Sequence, residues 1–370
     1  MKWLCLAAAL FFYATFEAAE EPARDGSKTH PRFLSIESKI RSLEQQVGIK
    51  PPTYKTTFNL FGDFLYWKAS LDGVGYATTA VGVVNADGSD GFNKFKTRTV
   101  HFSYDPGFLI GAGVGLPYDQ WDVGCQWLRF HTRGKDKAHG SLDAASGHRA
   151  ILDLIGMLEP LLSPPGKATA DCRIHLDVVD LVMGRSFYWS RYFNFRPFAG
   201  LRAAWVDIDW DISFTRPIFP GFPDPQTFAF LDAGNDFNAI GFLGGFESDW
   251  TFHKGLGLFS YATASLIYGK SSEHTREEFF LVPASGTKAI EQTLKAQNAT
   301  HTVKSVFDLA LGIQWSLRFK KDRYGLLLRA GYDFFYWPNV TQKTVIQNNR
   351  IRDRADLSFQ GLIMGAKFEF

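Results

Sequence analysis

Charged side chains recur at even spacings inside otherwise apolar stretches of this chain. Arg173 and Asp177, Arg196 and Arg202, Lys304, Asp308 and Arg318, and Arg329 and Asp333 each keep one parity within a stretch. In an extended chain, side chains of one parity point to one face. These residues therefore predict ionisable groups gathered on a common inward side. Asp105, Asp122, Arg185, Glu247, Asp249, Lys367 and Glu369 join them on the same reading. A charge taken from water is costly unless it is hydrated or paired. Opposed across a hydrated space, such groups line a conduit with a transverse field and weak ion selectivity. Paired with one another, they close that space as a plug.

Other chemistries find little support. GAGVG at 111–115 has the glycines of a nucleotide loop, but it lies within an alternating strand and no helix follows it. The chain has neither HExxH nor Cys–x–x–Cys, and its histidines are scattered. Arg, Lys and Asp in the polar connections form no grouping that favours a protease-like site over solvated charge. The reading is a protein that is not an enzyme, with no cofactor and no metal site. Cys5 lies in an N-terminal apolar run, which leaves Cys125 and Cys172 as a candidate disulfide in an exported chain. Parity places both on the outward face, Cys125 beside Val123 and Trp127, Cys172 beside Ile174. Closure requires Cα atoms within about 7 Å; two thiols, or links to other chains, are the alternatives.

The elements that position these residues are strands. From Val303 to Phe319 the odd positions are nearly all apolar and the even positions are mostly small or polar. That pattern predicts a strand with one lipid-facing side. Val100 to Leu116 alternates in the same way and is long enough to project beyond a bilayer. The last residues, LIMGAKFEF, alternate down to Phe368 and Phe370, as the final strand of an outer-membrane barrel does. Aromatics make up 16% of the 370 residues while mean hydropathy is −0.12, which is too polar for a bundle of membrane helices. A net charge of +2 gives no indication of a nucleic-acid partner.

Short polar connections at 117–120, 190–192, 253–255 and 320–323 alternate with long ones near 70–94, 132–171, 211–235, 271–299 and 338–354. The expectation is an all-β fold, a transmembrane antiparallel up-and-down barrel over residues 55–370 with ten strands. The count becomes twelve if 74–84 adds a hairpin. Trp127, Trp205, Trp315, Tyr324 and Tyr336 are expected in its outward aromatic girdles. Lys2 and the apolar run Leu4 to Phe16 predict a signal peptide over 1–19. Residues 20–54 form a periplasmic segment in which Ile36, Ile40, Leu43 and Val47 predict a short amphipathic helix. A second helix is expected in the long 134–170 connection, where Ile151, Leu154, Ile155, Leu158 and Leu162 recur at helical spacing.

GDFLYWKASLDGVGYA (62–77), FSYDPGFLIGAGVGLPYDQWDV (102–123), DLVMGRSFYWSRYFNFRPFAGLRAAWVDID (180–209), NDFNAIGFLGGFESDW (235–250), FDLALGIQWSLRF (307–319) and DRYGLLLRAGYDFFYW (322–337) carry a resemblance. In this order they are similar to the Legionella-type major outer-membrane protein family, which also occurs widely in environmental chlamydiae. The resemblance covers nearly all of residues 56–370. It implies a pore-forming barrel in the bacterial outer membrane, passing ions or small hydrophilic solutes by passive diffusion. It brings no catalytic residues. Its implied partners are outer-membrane lipid and lipopolysaccharide, and the barrel-assembly machinery reading Phe368 and Phe370, with a homo-oligomer as a further expectation. A structural or adhesive surface barrel without an open pore is the alternative.

Overall fold

The computed structural model describes residues 56–72, 75–84, 90–139, 141–143, 148–154, 166–216, 226–253, 255–282, 290–319, 324–343 and 353–370. The strands are β1 (Thr57–Leu71), β2 (Gly75–Val84), β3 (Asp90–Thr99), β4 (Tyr104–Gly115), β5 (Trp121–His139), β6 (Ser141–Asp143), β7 (His148–Leu154) and β8 (Lys167–Arg185). They continue with β9 (Phe187–Tyr188), β10 (Phe193–Arg216), β11 (Gln226–His253), β12 (Leu256–Val282), β13 (Ile290–Phe319), β14 (Tyr324–Lys343) and β15 (Asp353–Glu369).

Period-two alternation gives this wall two unlike faces. On β13, Phe307, Leu309, Leu311, Ile313 and Trp315 are exposed on the outside, while Lys304, Val306, Ala310 and Gln314 are buried within. On β1, Phe64 and Tyr66 face out, while Asp63, Leu65, Trp67 and Ala69 face in. Eleven strands form the main sheet; setting aside the two-residue β9, ten long strands remain, in the order β11-β12-β13-β14-β15-β1-β4-β5-β8-β10. Antiparallel pairing of β10 with β11 closes the ring. Where the ring is continuous, closure pairs both sides of each strand and leaves no open edge to lipid. The first and last strands meet at one mouth, where Phe58 and Phe370 exchange backbone hydrogen bonds of 2.9 Å. Trp127, Trp205, Trp315, Tyr324 and Tyr336 all fall on the outward parity.

The strands far outreach a bilayer. A spanning strand needs about 9–11 residues, and β10 to β13 have 24, 28, 27 and 30. The wall therefore projects past the hydrocarbon at the loop end. There its outward face becomes charged, with His131, Arg133, Asp171, Arg173, Asp207 and Asp209 on neighbouring strands.

Several expectations change. Gly75–Val84 does not enter the barrel: β2 and β3 belong to a separate four-stranded sheet, β3-β2-β7-β6. Tyr76, at the start of β2, donates a 2.9 Å hydrogen bond to Asp136 of β5, and burial together with that carboxylate pushes its phenol above the usual range. The long alternating segment 100–116 breaks at 100–103, where Val100 and Phe102 bury themselves beside Gly134 of β5. Residues 148–154 form a strand rather than a helix, pairing Ala77 with Leu154 and Val83 with His148. The Thr- and Val-rich β2 offers a ladder for their backbone groups, and that pairing outweighs helical spacing. Residues 155–165, the signal peptide and the N-terminal helix lie outside the described residues.

Candidate functional site

The barrel interior holds the chemistry. Near the terminal mouth, Arg196 of β10 donates from Nε to Asp122 of β5 at 2.8 Å and from Nη1 to Glu247 of β11 at 3.1 Å. Deeper, Arg329 of β14 donates from Nε to Asp63 of β1 at 2.8 Å and makes a second contact from Nη2. Arg202 of β10 grips both oxygens of Asp180 on β8, at 2.7 and 2.8 Å, and Gln126 adds a 2.9 Å hydrogen bond to the same carboxylate. The pairs differ in water access. The side chains of Arg196 and Glu247 are 15% and 38% exposed and that of Arg329 is 25% exposed, whereas those of Arg202 and Asp180 are 2% and 3% exposed. The terminal mouth is thus a hydrated vestibule that reaches Arg329, and the Arg202–Asp180 pair is dry.

Above the vestibule the lumen is filled. Trp67, Phe130, Phe335 and Phe359 come from β1, β5, β14 and β15, and all are almost fully buried. Trp67 lies with its centroid 5.5 Å from Phe130, 6.1 Å from Phe335 and 5.9 Å from Phe359. From the opposite wall the Arg202 guanidinium reaches to 5.6 Å from the Phe335 ring, a cation–π contact across the lumen. Nearer the loop end, the β14–β15 register shifts between Trp337 and Thr341. The bulge turns the carbonyls of Asn339 and Val340 inward, and Lys304 Nζ donates to both at 2.6 Å. Leu71, Ile174, Leu176, Val206 and Ile208 continue the packed interior.

Most of the expected inward charges are in place. Arg196, Arg202, Glu247, Lys304, Asp308, Arg329 and Asp333 face the lumen, and Arg318 keeps the inward parity at the terminal mouth. Arg173 and Asp177 do not. Both face outward, Arg173 donating to Asp211 at 2.7 Å and Asp177 accepting from Trp127 Nε1 at 2.9 Å. Arg185 is outward too, bridged to Asp119 at 2.5 Å. On β8 the buried row is Cys172, Ile174, Leu176 and Val178. Those apolar side chains fill the barrel rather than meet lipid, so the parity assigned to this strand inverts. The disulfide fails for the same reason. Cys172 stands opposite Gly134 and Cys125 opposite Leu181, nine residues apart along the β5–β8 pair and on opposite faces. At about 3.3 Å per residue that separation is roughly 30 Å, far beyond closure.

Sequence reasoning passed over Asp63, Asp180, Thr263 and the aromatic layer. The signal was present in GDFLYW, where Asp63, Leu65 and Trp67 share a parity opposite to the exposed Phe64 and Tyr66.

A closed antiparallel barrel that is apolar outside and charged within defines a membrane-spanning β-barrel protein of the bacterial outer-membrane class. The chain belongs to the family of the Legionella pneumophila major outer membrane protein precursor, matching it over residues 50–370. No curated protein sequence matches it. Among solved structures it is similar to the outer membrane protease OmpT from Escherichia coli (10% identity, 85% of this chain and 96% of that chain, TM-score 0.34). It is also similar to a Pseudomonas aeruginosa FadL homologue (8% identity, 85% and 90%, TM-score 0.26) and to the attachment invasion locus protein Ail of Yersinia pestis (9% identity, 85% and 98%, TM-score 0.23).

Proposed function

We propose that this protein is a low-conductance, porin-like channel for ions and small hydrophilic solutes, with its lumen closed in the conformation described. The observation that carries the reading is the column of ion pairs leading inward from the vestibule. A barrel with a purely mechanical role gains nothing from buried ion pairs, because apolar side chains of similar volume stabilise an interior as well or better. A column of charges that can rehydrate one pair after another is suited to passage. A ten-stranded wall lies between eight strands, which side chains just fill, and sixteen, which leave an open aqueous channel. Conduction here requires the aromatic layer to move.

The same reading makes the protein an exported one, with residues 1–19 removed. Phe368 and Phe370, with ring centroids 5.9 Å apart and tilted by 31° on the outward face of the final strand, serve as its assembly signal. Lipid and lipopolysaccharide surround the wall, and a homo-oligomer is compatible with it. Planar-bilayer recording of the purified, refolded protein tests the proposal, together with liposome swelling in sugars of graded size. Discrete openings with a small-solute cutoff are expected. A correctly folded barrel that stays silent across all voltages overturns the channel and leaves a structural or adhesive surface barrel.

A further inference from the structure

We propose that Asp308, Asp333 and Thr263 form a binding site for one small monovalent cation, sodium or potassium, inside the barrel. The three residues come from three consecutive strands. Thr263 of β12 stands directly opposite Asp308 of β13. Asp333 of β14 stands opposite Ala310, which makes it the diagonal neighbour of Asp308 on the same inward face. Directly opposed side chains have Cβ atoms about 5 Å apart and diagonal ones about 7–8 Å, within the span of one shared ligand. Thr263 and Asp333 are each only 6% exposed. Thr263 Oγ1, Asp308 Oδ1 and Asp333 Oδ1 are buried and find no hydrogen-bond partner among the described residues.

The electrostatic setting demands a positive charge there. The Asp308 and Asp333 side chains lie within hydrogen-bonding reach of each other. Two buried carboxylates so close cannot both stay ionised without compensation. The guanidiniums of Arg202 and Arg329 act on the pair, but each already holds a carboxylate of its own, Asp180 and Asp63. Arg196 is shared between Asp122 and Glu247. No guanidinium in this stretch is left over. A proton shared between Asp308 and Asp333 would still leave the Thr263 hydroxyl without a partner among the described residues. A cation held by Thr263 Oγ1, Asp308 Oδ1 and Asp333 Oδ1 satisfies all three.

The charge of the ligand follows from the neighbours. Arg202 and Arg329 oppose a second positive charge at this point. Among the described residues, no group of three or more His, Cys, Asp or Glu side chains is placed to hold a metal ion. Two carboxylates and a hydroxyl suit an alkali cation.

The site does not depend on conduction, and its test reads occupancy directly. The refolded barrel, washed with chelator, is melted in detergent at neutral pH in potassium, sodium or N-methylglucamine chloride of equal concentration. Potassium or sodium is expected to raise the melting temperature over N-methylglucamine. The shift is expected to be lost in Thr263→Val, which keeps the side-chain shape, and in Asp333→Asn. Equal melting of the unaltered protein in all three salts overturns the site, whatever the conductance. A shift that appears only with added calcium overturns the monovalent assignment. A shift that persists unchanged in both variants also overturns the proposal.

Discussion

Arg202 and Asp180 hold each other in a two-point ion pair at 2.7 and 2.8 Å, with both side chains almost wholly out of water. Removing one partner of a buried pair strands the other charge, at a cost of about 3–5 kcal/mol. Arg202→Ala should therefore lower the urea midpoint of the reconstituted barrel sharply. Arg202→Met combined with Asp180→Leu should recover most of that loss, since an apolar pair of similar volume needs no hydration. A double variant as unstable as the single one would show that the pair is not the unit that matters.

The aromatic layer supplies a second prediction. Trp67→Ala removes the ring shared by Phe130, Phe335 and Phe359, at a stability cost of about 3–5 kcal/mol. It should also raise single-channel conductance, because the cavity opens in the lumen rather than in a wall. Trp67→Phe should leave both properties nearly unchanged, since the indole Nε1 is buried without a hydrogen-bond partner among the described residues. Equal conductance in the alanine variant and the unaltered barrel would place the closure elsewhere.

How much of this was legible in the sequence depends on height along the wall. Where a strand crosses lipid, as in β13 from Phe307 to Trp315, the apolar parity is the outward one, and reading it gave the correct face for Lys304 and Asp308. On β8 the rule reverses. Past the hydrocarbon the outside is charged and the inside is packed, so Ile174 and Leu176 point in while Arg173 and Asp177 point out. Periodicity reports which residues share a face but not which face is wet. The fold class and the alternation of short and long connections needed only local pattern. The partner of Arg329 needed the closed ring, because Asp63 lies across the pairing of the first and last strands. The Arg196–Asp122 pair needed the sheet order, because it skips over β8. Arg202 and Asp180 face each other directly on neighbouring strands, but their register was not read. The strand at 148–154 was hidden for a related reason, its partner β2 being far away in sequence.

A third prediction concerns the β14 bulge. Lys304 Nζ donates to the carbonyls of Asn339 and Val340 at 2.6 Å each, and Asn235 Nδ2 also donates to Val340 at 3.4 Å. Lys304→Met keeps the stem and deletes the donors. Buried carbonyls left without them cost about 1–3 kcal/mol. Amide exchange at 339–343 should accelerate while exchange at 326–334 stays slow. Uniform acceleration along all of β14 would mean that the lysine supports the whole strand and not the bulge.

The last prediction rests on close approach between strands. Gly312 of β13 and Gly331 of β14 stand directly opposite each other, and the Phe259 ring of β12 lies over both. A Cβ on Gly312 would come within 2.6 Å of the ring and closer still to the Ala330 carbonyl. One on Gly331 would come within 2.9 Å of the ring and closer still to the Leu311 carbonyl, so the ring accounts for only part of the crowding. The ring sits in the gap that the paired glycines leave and covers their bare backbone, and the Arg329 guanidinium lies 5.7 Å from its centroid. Gly331→Ala should push the ring toward Arg329 and strain its pairing with Asp63, an overpacking cost of roughly 1–3 kcal/mol. Adding Phe259→Leu should relieve part of the clash, so the double variant should melt above the sum of the two single losses. Strict additivity of the two losses would show that the ring and the glycine do not compete for the same space.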